Sequence, residues 1–259
     1  MLNIQITDMT VIVAFWLAFA RWSAVIFQLP LFESSTIPPI VKVLTTLLLT
    51  FAFFPLVQDQ IMLDMKYVGA DSFWYLTIFN VIVGLVIGFF VKSIMSIFIA
   101  TGAIITQQIG FNALSYFDPQ AGAPIGPFEK LIEWTVLMLI ITSGALLPMF
   151  KGVISSFSTI HIYNIGKMAH SIDFFMILFK SIFISAIMLA SPMIFINLVI
   201  NAVMGIISRA VPQMNVISVS FAVNIGLGLL VFAVGSDEFF ATCFRLYTDR
   251  LGDWFQFLS

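Results

Sequence analysis

Four ionisable side chains sit inside long apolar runs and are the residues best placed to do chemistry: Arg21, Lys92, Glu133 and Lys180. A proton relay through a membrane repeats such groups, carboxylates above all, along one interior face. These four fall on four different segments and include a single carboxylate, so their spacing builds no relay. Lys180 lies near the start of its run and can snorkel. Arg21 lies deeper, and must snorkel or find a partner. Lys92, at the middle of its run, needs a neighbour or water in a cavity. Lys130 and Glu133 stand three apart and are expected to pair locally.

Metal and nucleophile chemistry fares no better. His161 and His170 fall in a linker, and solvated histidines are expected there in place of metal ligands. Cys243 is the single cysteine, which excludes an internal disulfide and a thiolate cluster within the chain. The sequence holds no HExxH, GxGD, GxSxG or GxxxxGK[ST] pattern. The expectation is a protein that is not an enzyme, with no catalytic, cofactor or metal site.

The 259 residues are 61% hydrophobic and 9% charged, where a soluble domain carries about 25% charged residues. That places the chain in a membrane. Its net charge of −2 gives no footprint for nucleic acid. Residues 1–10 contain Asp8 and no Lys or Arg, so the first apolar run is expected to be a retained helix.

Six apolar segments must position these residues: 11–29, 40–57, 73–111, 131–150, 174–208 and 216–234. Charged stretches at 59–72 and 151–173 read as solvated linkers, and 236–259 as an amphipathic tail. Segment 73–111 has no Gly-Pro, Asn-Gly or Asp-Gly turn at its middle and is expected to be one continuous or gently bent helix. At 1.5 Å per residue it would reach about 58 Å, beyond the ~30 Å of a bilayer core. Pro192 should kink or split the fifth segment. Asn197, Asn201 and Gly205 share one face there, which should pack on protein and not on lipid.

Between the third and fourth segments lies the stretch on which the others converge, residues 107–127, QQIGFNALSYFDPQAGAPIGP. Its glycines and prolines break any helix, yet it keeps Ile109, Phe111, Leu114, Tyr116, Phe117 and Ile125. Irregular backbone carrying large apolar groups beside a membrane segment is tolerated inside protein or along a cavity. An interfacial loop with aromatics at headgroup level is the alternative.

The order of motifs resembles the FliR/SctT family of flagellar and virulence type III export gates. The matching residues run in sequence: Arg21, Pro30, Phe32, Pro38 and Lys42; then Gln108, Gly110, Phe111, Asp118 and Pro119; then Ser191-Pro192, Asn201, Gly205, Arg209, Pro212-Gln213 and Asn215-Val216. The likeness spans most of the chain, from Val11 to about Val234. Ile217 and Ser218 stand where the family often has a Phe.

The resemblance implies an all-α, membrane-associated fold of long, partly kinked helices in hairpins, one domain over 1–259. It implies a subunit of a helical assembly with FliP-type, FliQ-type and FlhB-type proteins in the bacterial inner membrane, at a flagellar basal body or injectisome base. Unfolded export substrates would pass through its channel. The central loop would be the channel plug, formed by Ile109, Gly110, Phe111, Leu114, Tyr116, Phe117, Asp118 and Pro119. Arg21, Pro38, Lys42, Lys92, Asn201, Gly205, Arg209, Pro212 and Gln213 would be motif or inter-subunit residues. The competing expectation is a small-solute transporter with a midplane site at broken helices.

Overall fold

Apolar runs bounded by proline and glycine fold into helices, since lipid and packed protein offer the backbone no other hydrogen-bond partners. The computed structural model describes residues 9–33, 37–68, 72–111, 126–163, 171–211, 213 and 216–258. Among these, the regular elements are all helical: α1 (Met9–Ile26), α2 (Pro30–Glu33), α3 (Pro39–Val68), α4 (Phe73–Ile109), α5 (Pro127–Thr142), α6 (Leu146–Thr159), α7 (Ser171–Ala210) and α8 (Val216–Leu258). Five of them, α1, α3, α4, α7 and α8, are long and apolar enough to cross a membrane, and α5 with α6 would make a sixth as one broken span. The all-α membrane architecture expected from the sequence is the one found.

The chain divides into two compact units. The first comprises Met1–Ile94, Gly144–Met176 and Asp249–Ser259, the second Met95–Ser143 and Ile177–Thr248. In the first unit α1 packs on α3, and α3 on α6. The buried stripe of α3 is Thr46, Thr50, Phe54, Val57, Ile61 and Asp64, spaced by three and four as one helix face requires. Its threonines are satisfied on their own helix: Thr46 Oγ1 donates to the Lys42 carbonyl at 2.7 Å and Thr50 Oγ1 to that of Thr46 at 2.8 Å. Small side chains there let helices approach closely. Trp22 stacks on Phe53 at 5.5 Å and meets Phe150 at 6.0 Å, joining α1, α3 and α6.

In the second unit the end of α4 packs on α5, α7 and α8. Gly102 allows the first of these contacts, because a Cβ there would lie 2.5 Å from the Glu129 Cα. Thr101 Oγ1 lies 3.4 Å from the Ala186 carbonyl oxygen of α7.

Several boundaries differ from the sequence expectation. Of the solvated linker expected at 59–72, residues 59–68 are instead helical, since α3 continues to Val68, and Asp64 is buried because it falls in register with Phe54, Val57 and Ile61. Segment 131–150 is two helices, since Gly144 takes φ +73 and ends the first run. Pro148 starts no break of its own; it sits in the first turn of α6, where no amide hydrogen is needed. Residues 151–159 are helical, burying Gly152, Val153, Ser156 and Phe157. Pro192 lies within α7 without splitting it, and the tail continues α8 as a single helix of 43 residues. The third segment is the one continuous helix expected, α4, of 37 residues.

Candidate functional site

The structure describes the base of the central loop, within the second unit. Helix α4 ends in a left-handed glycine cap. Gly110 adopts φ +94, its N–H donates to the Gln107 carbonyl at 3.1 Å, and Phe111 N–H donates to the Thr106 carbonyl at 3.2 Å. This pair of bonds is the Schellman arrangement that turns a chain off a helix end. The neighbouring Gln108 carbonyl accepts from Asn197 Nδ2 of α7, and Asn201 Nδ2 donates to Asn197 Oδ1 at 2.7 Å.

The chain comes back at Gly126, against the same turn of α4. A Cβ on Gly126 would lie 2.5 Å from Thr106 Oγ1, so only glycine brings the returning strand this close. Pro127 opens α5 at its first position, where its fixed φ suits a helix start. Phe128 is buried. It meets the ring of Phe111 at 5.9 Å and that of Phe232 on α8 edge-on at 4.9 Å. Ile109 is buried, and a Cβ on Gly228 would lie 2.8 Å from its Cγ1.

Phe111 and Gly126 are therefore held at one place, by an aromatic cluster and by the close approach to Thr106. Of the residues expected in the plug, Ile109, Gly110 and Phe111 belong to this anchor. Leu114, Tyr116, Phe117, Asp118 and Pro119 lie outside the described residues.

The first unit holds a buried polar cluster. Arg21 is 1% exposed. Its Nε donates to Asn80 Oδ1 at 3.0 Å and its Nη1 to Ser156 Oγ at 3.2 Å. The guanidinium also lies 3.9 Å from the Phe157 ring centroid. Of the two outcomes expected for Arg21, a partner is the one found. Asn80 Nδ2 in turn donates to the Leu76 carbonyl, and Ser156 Oγ to that of Val153. Asp64 Oδ1 meets His161 Nδ1 at 3.1 Å, both side chains buried. His161 is thus not the solvated linker histidine that the sequence implied. The missed signal was Asp64 in phase with an apolar stripe.

The remaining motif residues are more dispersed. Pro38 is exposed ahead of α3, Lys42 is half-buried in its first turn, and Lys92 is exposed on α4. Asn201 and Arg209 are exposed, and Gly205 has no atom within 4 Å of where a Cβ would stand. Gln213 is exposed, and Pro212 lies outside the described residues. Lys130 Nζ and Glu133 Oε2 pair at 2.9 Å, as their spacing implied. A cleft of about 320 Å³ in the second unit is lined by Ile105, Pro192, Met193 and Phe239, with Glu238 and Thr242 as its polar groups. That lining lacks the convergent polar set that fixes a small solute.

Comparison with known proteins places these features in context. The sequence profile of the bacterial export proteins, family 1, matches residues 12–249. The chain is 23% identical to the flagellar biosynthetic protein FliR of Escherichia coli (strain K12), over 91% of this chain and 88% of that protein. It is 25% identical to the protein of the same name in Bacillus subtilis (strain 168), over 85% of each. It is also 24% identical to the surface presentation of antigens protein SpaR of Shigella sonnei, over 86% of this chain and 84% of that one.

Proposed function

The chain belongs to the bacterial export proteins, family 1, as a membrane component of the flagellar or type III export apparatus, and on that premise we propose that it gates the export channel. Residues 107–127 form the plug. The carrying observation is that Phe111 and Gly126 are held together at the base of the intervening stretch, by Phe128 and Thr106 respectively. A loop so anchored can hold bulky side chains at a fixed point in a conduit. Ile109 and Phe111 form its foot, and Leu114, Tyr116 and Phe117 supply the seal, with Gly110, Asp118 and Pro119 in the same plug. An apolar constriction closes a pore by excluding water, without any charge. The protein then needs no catalysis of its own.

The channel is completed by FliP-type and FliQ-type subunits, with an FlhB-type protein attached, and unfolded substrates pass through it. Two observations support such partners. Helices α4, α7 and α8 would run about 56, 60 and 65 Å if straight, about twice a bilayer core. They also carry exposed apolar side chains in quantity, among them Phe183, Met188, Phe195, Leu198 and Ile206 on α7. Sister subunits cover what lipid cannot reach.

Replacing Phe111 and Phe117 together by Ala tests the plug. The expected result is leakage of ions or small solutes through the assembled gate; an assembly as tight as wild type removes the assignment. A small-solute transporter would instead place its site at broken helices. Helix α7 runs unbroken through Pro192, which takes away one of the two breaks that reading requires.

A further inference from the structure

The buried Asp64–His161 contact has no part in a plug, and its geometry carries a consequence of its own. His161 Nε2 lies 2.9 Å from the Ser158 carbonyl oxygen. A carbonyl accepts and cannot donate, so Nε2 carries the hydrogen. In a neutral imidazole the other nitrogen, Nδ1, then presents a lone pair. Yet Nδ1 faces Asp64 Oδ1 at 3.1 Å, and two acceptors at that distance repel unless a proton lies between them.

Imidazole is the stronger base of the two, with a reference pKa of about 6.5 against about 3.9 for an aspartic carboxyl, so the proton rests on Nδ1. We infer that Asp64 and His161 form a proton-binding site, an imidazolium–carboxylate tie joining α3 to the chain that follows α6.

The charged and titratable groups around it are few. From α1 comes Arg21, and α4 contributes the neutral Asn80 that holds Arg21. On α3 itself, Lys66 and Tyr67 are exposed, as is Lys151 on α6. Beyond α6, Tyr163 stacks on the His161 ring at 5.0 Å and meets Tyr67 at 5.4 Å. Tyr163 thus covers a face of the imidazole. Releasing the proton leaves a lone pair against a buried anion, and the two elements lose their tie.

The test uses the full chain in detergent with nitrogen-15-labelled histidine. A His170→Gln background leaves one imidazole, since the sequence has two histidines. Near neutral pH, both ring nitrogens should show protonated resonances. Asp64→Asn, whose amide can donate to Nδ1, should abolish the Nδ1 proton at neutral pH. A bare Nε2 or a lone pair on Nδ1 in the wild-type chain, or an unchanged Nδ1 proton in a folded Asp64→Asn protein, would overturn the proposal. The wild-type spectrum decides the matter even where the substituted chain does not fold.

Discussion

The main chain of α4 at Gly84 lies against Arg21: a Cβ on Gly84 would sit 2.5 Å from the Arg21 carbonyl oxygen and 2.8 Å from the Ala24 Cβ. Neither neighbour is the yielding end of a long side chain. Gly84→Ala must therefore push α4 and α1 apart. Overpacking of this kind costs about 1–3 kcal/mol, read as a lower unfolding midpoint of the detergent-solubilised chain. Gly235 on α8 has nothing within 4 Å and supplies the control. Gly235→Ala should be neutral or stabilising by up to about 1 kcal/mol, through helix propensity alone.

Arg21 is held by neutral groups, and the order of loss on substitution follows. Arg21→Met keeps the bulk but leaves Asn80 Oδ1 buried without its donor. An orphaned acceptor costs about 1–3 kcal/mol. Removing both partners together costs less, because no polar atom is stranded. Asn80→Leu added to Arg21→Met should recover part of the loss, giving a coupling of about 1–3 kcal/mol in a double-mutant cycle. Strict additivity of the two changes would contradict the contact.

These two sites show what a sequence displays and what it hides. Arg21 stood out because a guanidinium deep in an apolar run needs an explanation. Asn80 and Ser156 did not stand out, since neutral residues inside helices carry no mark of the partner across the bundle. Asp64 was hidden differently. A carboxylate flanked by Asp59 and Lys66 reads as solvent-facing, and only its phase with Phe54, Val57 and Ile61 betrays the packed side. Helix existence was legible from hydropathy. Helix ends were not, because α6 and the end of α8 mix polar residues into a helical period. The Gly144 break needed a backbone angle, φ +73, that composition does not encode. At the loop, Gly110 and Gly126 announced a turn, while the pairing of its two ends depended on Thr106 and Phe128 from neighbouring helices.

Gly205 probes the partners that the proposed gate requires. It is exposed on α7, with Asn201 one turn before and Arg209 one turn after, and open space where a Cβ would be. In the chain alone, Gly205→Leu should leave the unfolding midpoint unchanged or raised. If a sister subunit packs there, the same change inserts bulk into an interface at about 1–3 kcal/mol, cutting co-purified partner about tenfold. Equal partner recovery from wild type and variant would free that face from the interface.

The two glycines that frame the loop resist substitution for different reasons, and the difference can be measured. Gly110 has room: its nearest neighbour, Phe221 Cδ1, would lie 3.7 Å from a Cβ, an ordinary contact. What it lacks is an alternative to φ +94, a region that costs a side-chain residue about 1–2 kcal/mol, asparagine less than most. Gly110→Ala should therefore destabilise more than Gly110→Asn, and no neighbouring substitution should repair either. Gly126 has φ −57 and no such strain, but Thr106 Oγ1 and Cγ2 stand 2.5 and 2.6 Å from its would-be Cβ. Gly126→Ala should fail by collision, and Thr106→Ala, which removes both atoms, should restore part of the stability. If both glycine variants raise ion leakage through the assembled gate, and Thr106→Ala suppresses it only for Gly126→Ala, then the seal depends on the two ends of the loop being held side by side. Leakage indifferent to that rescue would mean that the anchor plays no part in closing the channel.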